Sequence, residues 1–217
     1  MDSKNPKLTL DEWIAFCKSL KYGDELHCIA YDLSGKVIMF FSEDNGYADP
    51  KHAGEFVHPA HTFRYLGLGR GATVEADPKG TQYHLIDEYR DRVMAGDVRL
   101  IVHRHLDLTV DDFDKIKQVC EMEIKRPYGW GAIIGFGLVR LFQKTFIGGI
   151  WRWAKWQTPF CSADNPVCSQ GVRLQKNAVK RYFDVMQKLS DWTANTPQMC
   201  LDQTGALTTY VGDTHFE

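Results

Sequence analysis

Short strand-like apolar runs bounded by turn residues fill most of the first half of this chain, and helical spacing dominates the second. Residues 9–20 are the exception in the first half. There Thr9 reads as a cap, Glu12 follows three positions later, and Trp13, Phe16 and Leu20 share one helical face. A turn at Tyr22-Gly23-Asp24-Glu25 leads to strand-like runs at 26–31 and 36–41 around the turn 32–35. Residues 42–59 are polar and irregular. Two more strands are predicted at 63–66 and 72–76, separated by Gly67, Gly69 and Gly71, and another at 98–103. Thr109 opens a helix reaching 125, with Asp111 and Asp112 in its first turn. A glycine-rich apolar run at 129–142 reads as a buried helix, and an aromatic loop continues to 160. From 168 onward Val172, Val179, Phe183 and Met186 recur with helical spacing, joined by Tyr182 and Leu189. Beyond 191 no period is evident. Strands first and helices later predict an α+β fold, a small antiparallel sheet with helices packed on it.

Composition narrows the function classes. A chain of 217 residues with 44% hydrophobic and 25% charged residues supports a sizeable core, read as one domain over 1–217. Its core falls at about 20–190, with an aromatic insertion at 143–160 and a tail at 191–217. A net charge of −2 provides no field for nucleic acid or anionic lipid. The apolar run at 129–142 is shorter than the roughly 20 residues of a bilayer span, and Arg140 interrupts it. No transmembrane segment is expected. The aromatic and basic residues after it, including Lys144, Trp151, Arg152, Trp153, Lys155 and Trp156, leave a partner-, glycan- or lipid-touching surface as a minor alternative. The polar start carries no secretory signal, so the six cysteines read as thiols of a reducing, cytoplasmic compartment.

One cysteine stands apart. Cys168 lies in Asp164-Asn165-Pro166-Val167-Cys168-Ser169-Gln170-Gly171-Val172, where a loop with good capping residues becomes a helix. The positive end of a helix stabilises a thiolate and lowers its pKa. Cys161 has the same Cys-Ser dipeptide but no helical pattern behind it. A nucleophilic thiol needs a base and a group that orients the base. His27 falls within a strand pattern, while His52, His58 and His84 read as solvated. His61 differs, because it enters a strand, where a base would be mounted rigidly. Glu75 stands between Val74 and Ala76 on the next strand, facing the same way as Thr73 and Asp77. It reads either as a solvent-facing carboxylate or as the group that orients His61.

With those residues in view the chain resembles a family. The segments His61-Thr62-Phe63-Arg64-Tyr65-Leu66-Gly67, Val74-Glu75-Ala76-Asp77-Pro78 and Val167-Cys168-Ser169-Gln170-Gly171-Val172 carry the likeness, with Tyr22-Gly23-Asp24-Glu25-Leu26 before them. They are similar to motifs of the circularly permuted papain-like enzymes, the YiiX-like members of the NlpC superfamily. The order His, Glu, Cys is the permuted order. Gln170, Gly171 and Gly129 depart from the pattern, where Glu, Leu and Asp are usual. The resemblance implies a permuted papain-like fold, a Cys168–His61–Glu75 triad, and Tyr65, Tyr128 and Trp130 near the substrate. It also implies a peptidase, amidase or acyltransferase needing no cofactor. Its substrate would be a peptide, a peptidoglycan peptide or a lipid-borne acyl group, and a phage-associated role is compatible. Two alternatives stand beside this reading. One is a non-catalytic binding protein on the same fold. The other is a metal-dependent hydrolase, because His103, His105 and Asp107 follow a strand in a spacing found in zinc sites.

Overall fold

A computed structural model describes residues 7–31, 47–48, 56–57, 59–67, 69, 71–142, 167–179 and 208–214. The anticipated strand at 36–41, the aromatic loop at 143–160, Cys161, His52 and His58 lie outside the described residues. The architecture is α+β. A six-stranded antiparallel sheet has the order β6-β5-β4-β1-β7-β8. Its strands are β1 (Glu25–Ala30), β4 (His61–Tyr65), β5 (Ala72–Asp77), β6 (Gly80–Leu85), β7 (Val98–His105) and β8 (Thr208–Asp213). A separate two-stranded pair joins β2 (Tyr47–Ala48) to β3 (Phe56–Val57). Two of the sheet strands are absent from the sequence prediction. Gly80–Leu85 escapes because it alternates weakly, and Thr208–Asp213 because it is an edge strand with small and polar residues.

Helix α1 (Leu10–Ser19) starts where the pattern predicts. Thr9 accepts from the Glu12 N–H at 3.3 Å, and Glu12 Oε2 accepts from the Thr9 N–H at 2.7 Å, so two helix-start donors are satisfied together. Trp13 and Phe16 then face inward. With Leu26, Cys28, Phe63, Val98, Leu100 and Val102 of the sheet, Ile86 of the 3₁₀ turn Ile86–Tyr89, and Val93 of α2 (Arg90–Met94), they form the main core. The other sheet face carries Val74 and packs against Ile116 and Cys120 of α3 (Val110–Glu123) and against Val179. Gly23, at φ +85°, is required in the turn before β1: a Cβ there would overlap the Phe113 ring.

Register places an unusual row of polar groups on that second face. Glu25 of β1 lies opposite Arg64 of β4 on one side and His103 of β7 on the other. His27, two residues along, lies opposite Thr62. Helix α5 (Cys168–Asn177) lies over β4 and β5 and lowers Gln175 and Lys176 onto this row. Among the described side chains, helix α4 (Trp130–Phe142) is not buried all round as its composition suggests. Ala132 and Gly135 are covered, but Trp130 and Ile134 are more than half exposed. Among the described residues no helix is long and apolar enough to cross a membrane.

Candidate active site

His61 and Glu75 meet because adjacent antiparallel strands present one face together. Tyr65 pairs with Thr73, and side chains two residues apart on each strand share that face. His61, Phe63 and Tyr65 therefore look the same way as Thr73 and Glu75. The His61 Nε2 lies 3.0 Å from Glu75 Oε2. Glu75 is 4% exposed and His61 one-fifth exposed, so the pair sits under the surface with one side of the ring accessible.

Cys168 is the first residue of α5, with Val167 preceding it and the Gly171 N–H bonding back to the Val167 carbonyl at 2.9 Å. Backbone N–H groups of such a first turn point out along the helix axis and carry its positive end. The expected cap residues Asp164, Asn165 and Pro166 lie outside the described residues. The thiol is buried and in hydrogen-bond contact with the His61 imidazole. With Nε2 committed to Glu75, Nδ1 is the ring nitrogen left to serve the sulfur.

The electrostatics follow from these contacts. Burial opposes a charge on His61, yet the Cys168 thiolate and the Glu75 carboxylate outweigh it and raise its pKa to about 10. Burial alone would push Glu75 up. Its bonds to His61, Thr73 and Tyr89 instead hold it below the usual carboxylate range. Thr73 Oγ1 donates to Glu75 Oε1 at 2.5 Å, and the Tyr89 hydroxyl donates to Oε2 at 2.7 Å.

Other expected residues are distributed unevenly. Tyr128 is close enough to Cys168 that burial, the thiolate and Asp77 all push its ionisation up. Trp130 packs edge-on against Tyr128 with ring centroids 5.2 Å apart and is 54% exposed. Tyr65 is placed elsewhere. It ends β4 four residues from His61, about 13 Å along a strand. There it lines a separate groove of about 580 Å³ with Trp13, Ile14 and Ile86. Facing direction put Tyr65 on the correct side of the sheet, but distance along the strand removes it from the thiol. His84, expected to be solvated, is bracketed by Asp77 Oδ2 at 3.2 Å and Glu88 Oε2 at 2.8 Å. Tyr89 escaped the sequence reading because it belongs to a short 3₁₀ turn with no periodic signal.

The metal alternative does not assemble. His103 and His105 lie on one face of β7 by alternation, but that face is the buried polar row. His103 Nδ1 is 3.3 Å from Thr208 Oγ1, and His105 Nε2 is 3.4 Å from Glu25 Oε2. Lys176 Nζ sits 2.9 and 3.0 Å from the two Glu25 oxygens, where its charge would repel a cation. Asp107 is exposed past the strand end, at φ +54°. Among the described residues no group of three or more His, Cys, Asp or Glu side chains could hold a metal ion.

Comparison with known proteins adds a fold. No protein-family model matches the chain, and no curated protein matches it. Among solved structures it is similar to that of metalloprotein YiiX from Escherichia coli O157:H7, a DUF1105 protein. The match has a TM-score of 0.50 at 15% identity and covers 88% of this chain and 96% of that one. At that identity the likeness establishes a YiiX-like fold.

Proposed function

We propose that the chain is a thiol enzyme acting on acyl groups, on a permuted papain-like version of the YiiX-like fold. Cys168 is its nucleophile, His61 its base and Glu75 the residue that orients His61. One observation carries the reading: thiol, imidazole and buried carboxylate form a continuous hydrogen-bonded chain at the start of a helix. A carboxylate behind the imidazole stabilises its protonated form, so the proton of Cys168 rests on His61 and the sulfur is a thiolate. The thiolate attacks an amide, ester or thioester carbonyl. The oxyanion that forms lies at the N-terminus of α5, where backbone N–H groups stabilise negative charge. His61 then returns its proton to the leaving group. Water or another acceptor, deprotonated by His61, resolves the thioacyl intermediate. Tyr128 and Trp130, on the α4 side of the thiol, supply an aromatic wall for a peptide, a cell-wall peptide or a lipid-borne acyl group. YiiX is described as a metalloprotein. Among the described residues of this chain, His103, His105 and Asp107 do not converge on one point, and Lys176 sits on Glu25 beside the two histidines.

The test is selective alkylation. Iodoacetamide labelling across pH 5–9, mapped by mass spectrometry, compares Cys168 with Cys17, whose thiol burial and Asp87 push up to about 11. Cys168 is expected to react about 100-fold faster at pH 6, and His61→Asn to abolish that advantage. Equal rates at Cys168 and Cys17 would remove the nucleophile from the reading.

A further inference from the structure

We propose that Tyr89, assisted by Thr73, is a positioning residue that fixes the Glu75 carboxylate for His61. The proposal rests on the triad reading and extends it to a fourth and fifth side chain. A glutamate carboxylate sits on a flexible arm, and one bond to an imidazole does not fix its plane. Here each oxygen is held separately. Thr73 Oγ1 takes Oε1 at 2.5 Å, and the Tyr89 hydroxyl takes Oε2 at 2.7 Å. Oε2 is also the oxygen that meets His61 Nε2 at 3.0 Å, so Tyr89 acts on the very atom that holds the imidazole.

The phenol is itself fixed by packing. Its ring stacks on Phe63 with centroids 5.0 Å apart and planes 12° apart. Phe63 is fully buried, and its ring also lies beside the His61 ring, with centroids 5.4 Å apart. One aromatic stack therefore sets both the donor to Glu75 and the orientation of the base. The type of donor matters as well. A hydroxyl orients the carboxylate without cancelling its charge, which stays available to the imidazolium. Burial and the Glu75 charge push the ionisation of Tyr89 well up, so it remains a donor throughout the working pH range.

The test follows the pH profile of Cys168 alkylation, which needs no substrate. Tyr89→Phe keeps the ring stack and removes one donor from Glu75, so the Glu75 pKa rises. The acid limb of the profile is expected to move up by about 0.5–1 pH unit, and the rate at that limb to fall about 3- to 10-fold. Thr73→Val is expected to move the limb in the same direction, and Thr73→Ser to restore it. In a Glu75→Gln background Tyr89→Phe should add nothing, because the two residues act through one group. A purely structural role for Tyr89 would lower thermal stability and leave the limb in place. A wild-type limb that Tyr89→Phe does not move overturns the assignment of Tyr89 alone. An equal effect in the Glu75→Gln background does the same. A wild-type Cys168 with no reactive low-pH limb overturns the triad, and Tyr89 with it.

Discussion

The sheet carries a buried glutamate among histidines on each of its faces, and the two clusters behave in opposite ways. On one face the Cys168 thiolate and Glu75 together hold His61, and the imidazole pKa rises to about 10. On the other, Glu25 lies 3.4 Å from both His27 and His105, yet burial carries His105 down to about 4 and His27 well below its usual value. Both glutamates are buried and both stay ionised. They differ in their other partners. Glu75 is held by two neutral hydroxyls and keeps its charge for His61. Glu25 is claimed by Lys176, with Arg64 3.8 Å away, and its pull on His27 and His105 does not offset their burial. The same pair of residue types thus gives a candidate catalytic base in one place and a neutral structural core in the other. The deciding factors are the Cys168 thiolate, a second anion that only His61 meets, and the burial that His27 and His105 undergo beside Lys176 and Arg64.

The second cluster also anchors the helix that begins at Cys168. Lys176 ties α5 to β1 through Glu25. Gln175 ties it to β4 by accepting from Arg64 Nε at 2.7 Å, and to α3 by donating to Glu123 at 2.9 Å. Breaking this side should therefore have the largest effect. Lys176→Met leaves Glu25 buried beside weaker partners, and a loss of about 3–5 kcal/mol is expected in urea unfolding. If Lys176 is what keeps the imidazoles neutral, NMR titration of the folded variant should find His105 or His27 ionising at higher pH. An unchanged histidine titration would break the comparison, since burial alone would then account for the low values.

Acid is the next lever. His103 and His105 both have folded pKa values near 4 against about 6.5 unfolded. As pH falls from 6.5 to 4, the unfolded chain binds protons that the folded protein refuses. Stability is therefore lost across that window, on the order of 3 kcal/mol for each imidazole. The face that carries His61 has the opposite sign at high pH. His61 contributes stability below 6.5 that disappears as pH rises through about 10. Denaturation midpoints measured from pH 4 to 10 should fall at both ends, and His105→Asn should flatten the acid side only.

The smallest expected effect comes from Glu123. Burial raises its pKa to about 7, so above neutrality the fold must carry a buried carboxylate charge. Glu123→Gln should match the wild type at pH 4 and exceed its stability at pH 8 by about 1–2 kcal/mol. Equal stability at both pH values would place the Glu123 carboxylate in better contact with solvent or cations than its burial implies.

What the sequence determined by itself was local. The Thr9 capping box, the helix start at Thr109, the strands around His61 and Glu75 and the helix starting at Cys168 were legible, because each depends on residues a few positions apart. Alternation also placed Thr73 and Glu75 on one face. The third dimension decided the rest. Tyr65 shares the face of His61 but lies too far along the strand, a distance that facing direction does not encode. His103 and His105 have ligand-like spacing, yet pairing with β1 and the descent of α5 set Lys176 on Glu25, the carboxylate beside them. Tyr89 arrives from a turn whose sequence gives no period, and its role exists only because the chain folds it against Phe63. Hydrogen-bond partners and the sign of a pKa shift depend on groups far apart in the chain, and only tertiary packing sets which of them meet.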